Sequence, residues 1–466
     1  LKQGTASSRT IREPARETAV IKEADVVVVG GGPAGVAAAV TAARNGASTV
    51  LIERYGHLGG MASGGIVLEL PQVFAGVESW YMPGLNQELI DRMDALDGCL
   101  HPSKEESDST DPDTVDYWYK RTGRNVRDGA VMWSAYSDPE MLKCVLNDVV
   151  EEAGVKLYMH AWACSSLVEQ GTVKGVVFES KSGRLAVLGK VVIDTTGDGD
   201  LLESAGADFD LSMDPGLRSS QLALVFRLGG VDYARYNEFR QTDPERHREL
   251  IRRAEGTWGE ELRTVFNPSM GGYCMLPLPT PREDVIWVNN WIRGVSSLDV
   301  EDLTWVEINI RKAMRLWFAN AKENLPGFEN SFILDTAPQL GTRGSRRLIG
   351  EHILTRANAS EMQDDTIAMF RRRGPSDGQG KTFFPLRALV PRDVEGLLVA
   401  GRNFSSDPVS NNMLNLIPHC IAMGEAAGVA AAIAAERDIA ARSVDYRLVQ
   451  AYLLKQGHAL PEAVRS

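Results

Sequence analysis

The sequence predicts an α/β fold organised on a parallel sheet, and three observations in one short stretch carry that expectation. Ala24-Asp25-Val26-Val27-Val28-Val29 ends in four consecutive valines, as suits a strand buried on both faces. It runs into Gly30-Gly31-Gly32-Pro33-Ala34-Gly35, a G-x-G-x-x-G that opens an Ala-rich helix reaching about Asn45, where Gly46 serves as its stop. A second strand, Ser48 to Ile52, then ends on the acid Glu53.

Each part of this unit has a physical job. Gly30 permits the tight turn, Gly32 lets backbone approach a pyrophosphate at the helix N-terminus, and Gly35 with Ala38, Ala39 and Ala42 lets helix and sheet pack closely. Glu53, about 20 residues on, is placed to accept hydrogen bonds from an adenosine ribose. A chance glycine turn would not bring strand, helix, second strand and acid together in this order, so the stretch predicts a dinucleotide site.

Composition narrows the rest. With 466 residues, 44% hydrophobic and 24% charged, the chain is neither disordered nor a disulfide scaffold, and it is long enough for two or three domains. A formal charge of -12 argues against a surface that binds nucleic acid by neutralising phosphates. No run of about 18 uncharged apolar residues exists; the nearest, Ile421 to Ala435, contains Glu425. A chain free of nucleic acid and membrane is therefore expected, in the cytoplasm. Leu1 in place of an initiator Met leaves a removed export signal open. The five cysteines are widely spaced with no C-x-x-C, so free thiols and no metal site are expected.

The continuation Glu53-Arg54-Tyr55-Gly56-His57-Leu58-Gly59-Gly60-Met61-Ala62 resembles the FAD-dependent oxidoreductases of the glutathione-reductase structural class. There a Gly-Gly pair passes beside the flavin's phosphate and ribitol. Three further stretches are similar to a narrower family, the FAD-dependent oxidoreductases related to the fumarate reductase and succinate dehydrogenase flavoproteins. They are Val191-Val192-Ile193-Asp194-Thr195-Thr196-Gly197-Asp198-Gly199-Asp200, Gly341-Thr342-Arg343-Gly344-Ser345-Arg346-Arg347-Leu348-Ile349-Gly350-Glu351, and Gly396-Leu397-Leu398-Val399-Ala400-Gly401-Arg402. The prefix Ile11-Arg12-Glu13-Pro14-Ala15-Arg16 also looks like that family's lead-in.

The resemblance implies FAD as cofactor and a Rossmann-like FAD-binding domain of glutathione-reductase type. It carries cofactor contacts onto Gly30, Gly32, Pro33, Ala34, Gly35 and Glu53, then Arg54, Gly59, Gly60, Met61 and Ala62, and later Gly197, Asp198, Gly401 and Arg402. Adenine would lie against backbone near Ala163 or Cys164. The helix starting near Pro418 would aim its N-terminus at the flavin, where the macrodipole stabilises negative charge on the reduced ring; a plain Ala-rich packing helix is the alternative. Related dehydrogenases attach FAD to a histidine before a small-residue segment. That makes His57 the candidate for a covalent bond, although the spacing differs and non-covalent FAD is expected.

The FAD-binding domain is expected in three pieces, 24–70, 138–206 and 335–437. The first interruption, 71–137, reads as a lid-like insertion carrying the polar tract Ser103 to Asp116 and the aromatic run Tyr117-Trp118-Tyr119; the charged tract reads as a solvated loop, with a mobile lid over the flavin as the alternative. The second, 207–334, reads as an inserted β-rich substrate domain with an amphipathic helix near Val300 to Asn324, and 438–466 as a C-terminal tail. No second G-x-G-x-x-G follows a strand, so no domain for NAD(P)H is expected. The partner of the flavin, whether substrate, oxygen, a quinone or another protein, stays open, as does a homo-oligomer.

Hydride exchange with flavin N5 needs a nearby group that handles a proton and donors that hold a small-molecule substrate. His419 is the first candidate because Pro418-His419 opens the helix that should face the flavin; a histidine that merely packs the helix end is the competing reading. Arg343, Arg346 and Arg347 suit a carboxylate substrate, with a structural role expected for at least two of the three. Arg402, Asn411 and Asn412 lie in the loop before the last helix and are placed for flavin or substrate, Asn412 being taken with His419 and Arg343 as catalytic. His352 reads as a core strand residue. Tyr136, Tyr273, Trp287 and Trp291 would form an aromatic wall unless they are core. An oxidase or monooxygenase is the enzymatic alternative, and a flavoprotein acting on or binding RNA the alternative of another class.

Overall fold

Val26, Val27, Val28 and Val29 sit at the centre of a seven-stranded sheet and are buried. In the computed structural model, which describes residues 10–266, 268, 273–371 and 380–465, this sheet organises the larger of two main cores. Its strands run in the order Lys156–Tyr158, Thr49–Ile52, Ala19–Val29, Gly183–Asp194, Thr172–Ser180 and Trp162–Glu169, and Leu397–Val399 pairs with the end of Gly183–Asp194. Pairing is parallel from Lys156–Tyr158 through Gly183–Asp194 to Leu397–Val399. The last two strands return as an antiparallel meander. A break at 159–161, where His160 takes a positive φ of 52°, separates Lys156–Tyr158 from Trp162–Glu169.

Helix Pro33–Arg44 follows the glycine turn, with Gly32 at its N-cap and Pro33 pre-set for its first turn. Helix Ile417–Arg437 lies directly on it. A Cβ on Gly424 would fall 2.2 Å from the Ala34 carbonyl oxygen, and one on Gly428 would fall 2.4 Å from that of Ala38. Only glycine lets the two backbones approach this closely. By length and composition Ile417–Arg437 could cross a membrane, yet 94% of its apolar window is buried in the protein, which makes it a core helix.

The second core is an antiparallel sheet ordered Met275–Pro279, Val285–Asn290, Phe226–Gly229 and Phe332–Thr336. Helix Val300–Asn324, whose bounds match the expectation, buries Val306, Ile310, Ala313, Trp317 and Ala321 against it. The β-rich reading of 207–334 needs correction: helices Tyr233–Thr242, Pro244–Gly256 and Glu260–Val265 lie in it as well. Pro244–Gly256 buries His247, Leu250, Ile251 and Ala254 along one stripe, which so many arginines and glutamates hid in the sequence.

Within 71–137, helix Leu85–Asp94 buries Leu85, Leu89, Ile90 and Met93 in the larger core, while the polar tract 103–116 runs through a turn at 104–108 and has no buried residue. One other expectation changes. The segment 438–466 is no loose tail: helix Tyr446–Lys455 buries Val449 and Leu453, and His458 Nε2 lies 3.2 Å from the buried Glu425 carboxylate.

Candidate active site: a cofactor cleft and an arginine-lined chamber

The carboxyl ends of the parallel strands open into a cleft. Its floor is the glycine turn. Gly30 has a φ of 101°, and a Cβ on Gly35 would lie 1.7 Å from the Gly30 carbonyl oxygen, so helix and turn close on each other with no space between. Gly32 differs: a Cβ there would meet nothing within 4 Å, and it faces the open cleft. Thr195 ties the second motif to the first, its Oγ1 donating to Val29 O at 2.7 Å and Gly30 O at 2.8 Å.

Buried Asp194 builds the other lip. It accepts from Thr196 N, Leu201 N and Leu202 N, which fixes the Thr195-Thr196-Gly197 turn and the start of helix Asp200–Ser204. Glu53 lines the far end, with Oε2 accepting from Gly31 N at 2.5 Å and Oε1 from Tyr55 N at 2.7 Å. Burial pushes its carboxyl above the usual range, against those backbone donors. Beyond it the Arg54 guanidinium stands over Tyr55 and Trp162, 4.9 and 5.2 Å from the ring centroids.

A second cavity lies between the two cores. Among the described residues its walls carry Arg124, Arg218, Arg343 and Arg371, with Glu69 as the one acid. Glu69 pairs with Arg124 at 2.9 Å. Arg371 Nε donates to Phe74 O at 2.8 Å, whereas the Arg218 side chain makes no hydrogen bond or ion pair among the described residues. Burial, then the nearby charges of Arg218 and Arg402, push Arg343 down to about 9. Trp287 and Trp291 complete one wall.

Cleft and chamber share the stretch 415–420. Asn415, Ile417 and Cys420 line the cleft, and Leu416 and His419 line the chamber. The Leu416 amide donates to His419 Nδ1 at 3.3 Å, which leaves the imidazole proton on Nε2. The ring is held edge-on by Phe370, centroids 4.5 Å apart.

A family model described as FAD dependent oxidoreductase matches residues 25–453, which span both the cleft and the chamber. The chain belongs to this family. It is an FAD-dependent oxidoreductase, and FAD is its cofactor. Solved structures similar to it include a geranylgeranyl bacteriochlorophyll reductase-like protein from Thermoplasma acidophilum, at 16% identity over 94% of this chain and 84% of that one, TM-score 0.45. A flavoprotein/dehydrogenase from Cytophaga hutchinsonii is 13% identical over 94% of this chain and 83% of that one, TM-score 0.46. The p-nitrophenol 4-monooxygenase of Pseudomonas putida is 13% identical over 93% of this chain and 84% of that one, TM-score 0.44. No curated protein sequence is significantly similar to the chain.

The cleft of this FAD-dependent oxidoreductase fits its cofactor. The space above Gly32 at a helix N-terminus is where a pyrophosphate finds backbone donors. Arg402 supplies a buried Nη1 that has no hydrogen-bond partner among the described residues.

Most of the expected contacts line that cleft: Gly30, Gly32, Pro33, Ala34, Glu53, Arg54, Gly60, Met61, Gly197, Gly401 and Arg402. Others do not. Gly35 packs beneath the turn, and Gly59 and Ala62 face an apolar pocket behind Pro33. Cys164 turns away and its thiol donates to Val177 O, leaving Ala163 at the cleft. Asp198 is buried behind the lip, where Ser345 Oγ donates to it at 2.6 Å. His57 stacks on Tyr55 and lines neither space.

Arg343, Asn412 and His419 meet in the chamber. Asn412 Oδ1 accepts from Ser219 N at 3.1 Å, which orients its amide. Arg347 is wholly buried against Asp210 and Ser212, and Arg346 Nη1 donates to Asp198 O, so both brace loops. Asn411 Nδ2 donates to Arg402 O at 2.7 Å. His352 sits half-buried in a bend and not in a core strand. Of the four aromatics, Trp287 and Trp291 face the chamber, Tyr136 is core, and Tyr273 Oη lies 3.2 Å from His247 Nδ1 in the second core. Arg124, Arg218, Arg371 and Glu69 were missed, since isolated arginines in unrelated segments carry no spacing signal.

Proposed function

We propose that this chain is a dehydrogenase or reductase that exchanges a hydride equivalent between its FAD and a small organic anion bound in the arginine-lined chamber. One observation carries the proposal. Arg343, Asn412 and His419 come together on a chamber that holds four arginines and one acid, divided from the cofactor cleft by the stretch 415–420. A surplus of buried cationic donors favours a ligand that brings its own negative charge.

When bound, FAD supplies a ring that takes up or gives a hydride. The chain's residues do the rest. Arg343 and Arg218 hold a carboxylate: the charges that act on Arg343 are those of Arg218 and Arg402, and Arg218 forms no ion pair among the described residues. Asn412 orients the ligand beside them. His419 gives or takes the accompanying proton at Nε2, and Trp287 and Trp291 exclude water from the far wall. Kinship with the fumarate reductase and succinate dehydrogenase flavoproteins is part of this proposal, supported by the stretches 191–200, 341–351 and 396–402.

Anaerobic mixing of the yellow holoprotein with panels of organic acids, alcohols and amines tests the reading. Bleaching by acids, or reoxidation of the reduced protein by unsaturated acids, is expected. Bleaching by neutral compounds alone would overturn it, and peroxide release in air would assign the oxidase alternative.

A further inference from the structure

Outside both cavities, Asp94, Cys99 and His101 converge at one end of helix Leu85–Asp94. Their carboxylate, sulfur and imidazole atoms all lie within 4.8 Å of one another. His101 Nδ1 is 2.8 Å from the Pro102 carbonyl oxygen, which accepts a hydrogen bond from it, while Nε2 faces Asp94 Oδ2 at 2.7 Å. Trp133 packs on the imidazole with centroids 5.1 Å apart. With one proton held on Nδ1 by a carbonyl, Nε2 meets the carboxylate either through a second proton, as an imidazolium, or as a lone pair across a shared cation. Two acceptors at that distance need a proton or a cation between them, and a carbonyl behind Nδ1 is the usual support of a metal-bound histidine.

We propose that Asp94, Cys99 and His101 bind a divalent cation of the zinc class. One sulfur, one nitrogen and one carboxylate oxygen match the ligand preference of zinc, with water completing four-coordination. Thiolate and carboxylate together balance the two positive charges. Binding releases the Cys99 thiol proton to solvent, and a second proton where His101 is protonated. Bonds of about 2.0 Å in a tetrahedral site spread nitrogen and oxygen ligands to roughly 3.3 Å, so the His101 and Asp94 side chains open by about half an ångström.

The site would staple the helix end to strand Cys99–Leu100. That strand pairs with Ser134–Ser137, which pairs in turn with Glu69–Pro71. The cation thereby braces the small sheet that carries Glu69 of the chamber.

Cobalt titration of the dialysed holoprotein tests this, with zinc content per chain measured in parallel. One equivalent of zinc is expected, and cobalt should give a near-ultraviolet thiolate charge-transfer band that C99S abolishes and C144S keeps. Asp94→Asn, at a partly exposed side chain, should fold normally, retain FAD and weaken zinc at least tenfold, which covers the case in which C99S fails to fold. No thiolate band in the wild type, or equal zinc affinity in D94N, would mean an adventitious ion only and would overturn the site.

Discussion

The α-carbon of Gly424 faces the carbonyl of Ala34 so closely that a methyl group on it would lie 2.2 Å from that oxygen. This contact joins the core helix to the dinucleotide helix across 390 residues of chain, and it has no side chain that could yield. Gly424→Ala should therefore cost roughly 1–3 kcal/mol of stability through backbone displacement. Thermal unfolding followed by circular dichroism would register the loss, and an unchanged midpoint would contradict it.

Gly32 and Gly35 separate binding from folding. Gly32→Ala adds a methyl into open space and should leave the apoprotein within about 0.5 kcal/mol of wild type, because nothing lies within 4 Å. It should nonetheless weaken FAD by roughly tenfold or more, since the methyl fills the pyrophosphate cradle. Gly35→Ala meets the Gly30 carbonyl at 1.7 Å and should disrupt the fold itself. Flavin retention after gel filtration, beside apoprotein melting curves, distinguishes the two.

In the chamber, Arg343→Gln and Arg218→Gln should each lower kcat/KM for an anionic substrate by about 10²-fold, near 3 kcal/mol. FAD content and melting temperature should hardly change in Arg218→Gln, whose guanidinium has no ion pair among the described residues to lose. Steady-state kinetics with the same acid on both variants checks this, and a substitution without effect would remove that arginine from the site.

His247 makes stability fall in acid. Its ring, packed between Tyr236 and Tyr273, is held neutral by burial and then by Arg240 and Arg248, which bring it down to about 4 from an ordinary 6.5. A base with a lowered folded value contributes stability that is present above pH 6.5 and is lost as the pH falls towards 4. The steepest loss is roughly 1.4 kcal/mol per pH unit. Denaturant melts across that window should show the slope, and His247→Gln should flatten it.

How much of this was legible follows from the range of the interactions. Val26 to Val29, the glycine turn and helix Val300–Asn324 are set by neighbours in sequence, and their signals are strong. Glu53 was legible as the acid ending the second strand, but not that both its oxygens accept from the backbone of its own unit. The chamber was only half legible. Arg343 and His419 stood out through their motifs, whereas Arg124, Arg218 and Arg371 come from three separate segments and meet only through packing of the two cores. Helix Pro244–Gly256 was hidden because its buried stripe contains a histidine and only three apolar residues.

In the function we propose, Arg343 holds a negatively charged substrate on the far side of 415–420 from the flavin. Anaerobic flavin bleaching by one reactive acid and by its methyl ester, in wild type and Arg343→Gln, tests it most directly. Fast bleaching by the acid in wild type, a rate about 10²-fold lower with the ester, and loss of that preference in the variant are expected. Equal bleaching by acid and ester in wild type, or an undiminished preference in Arg343→Gln, would contradict it.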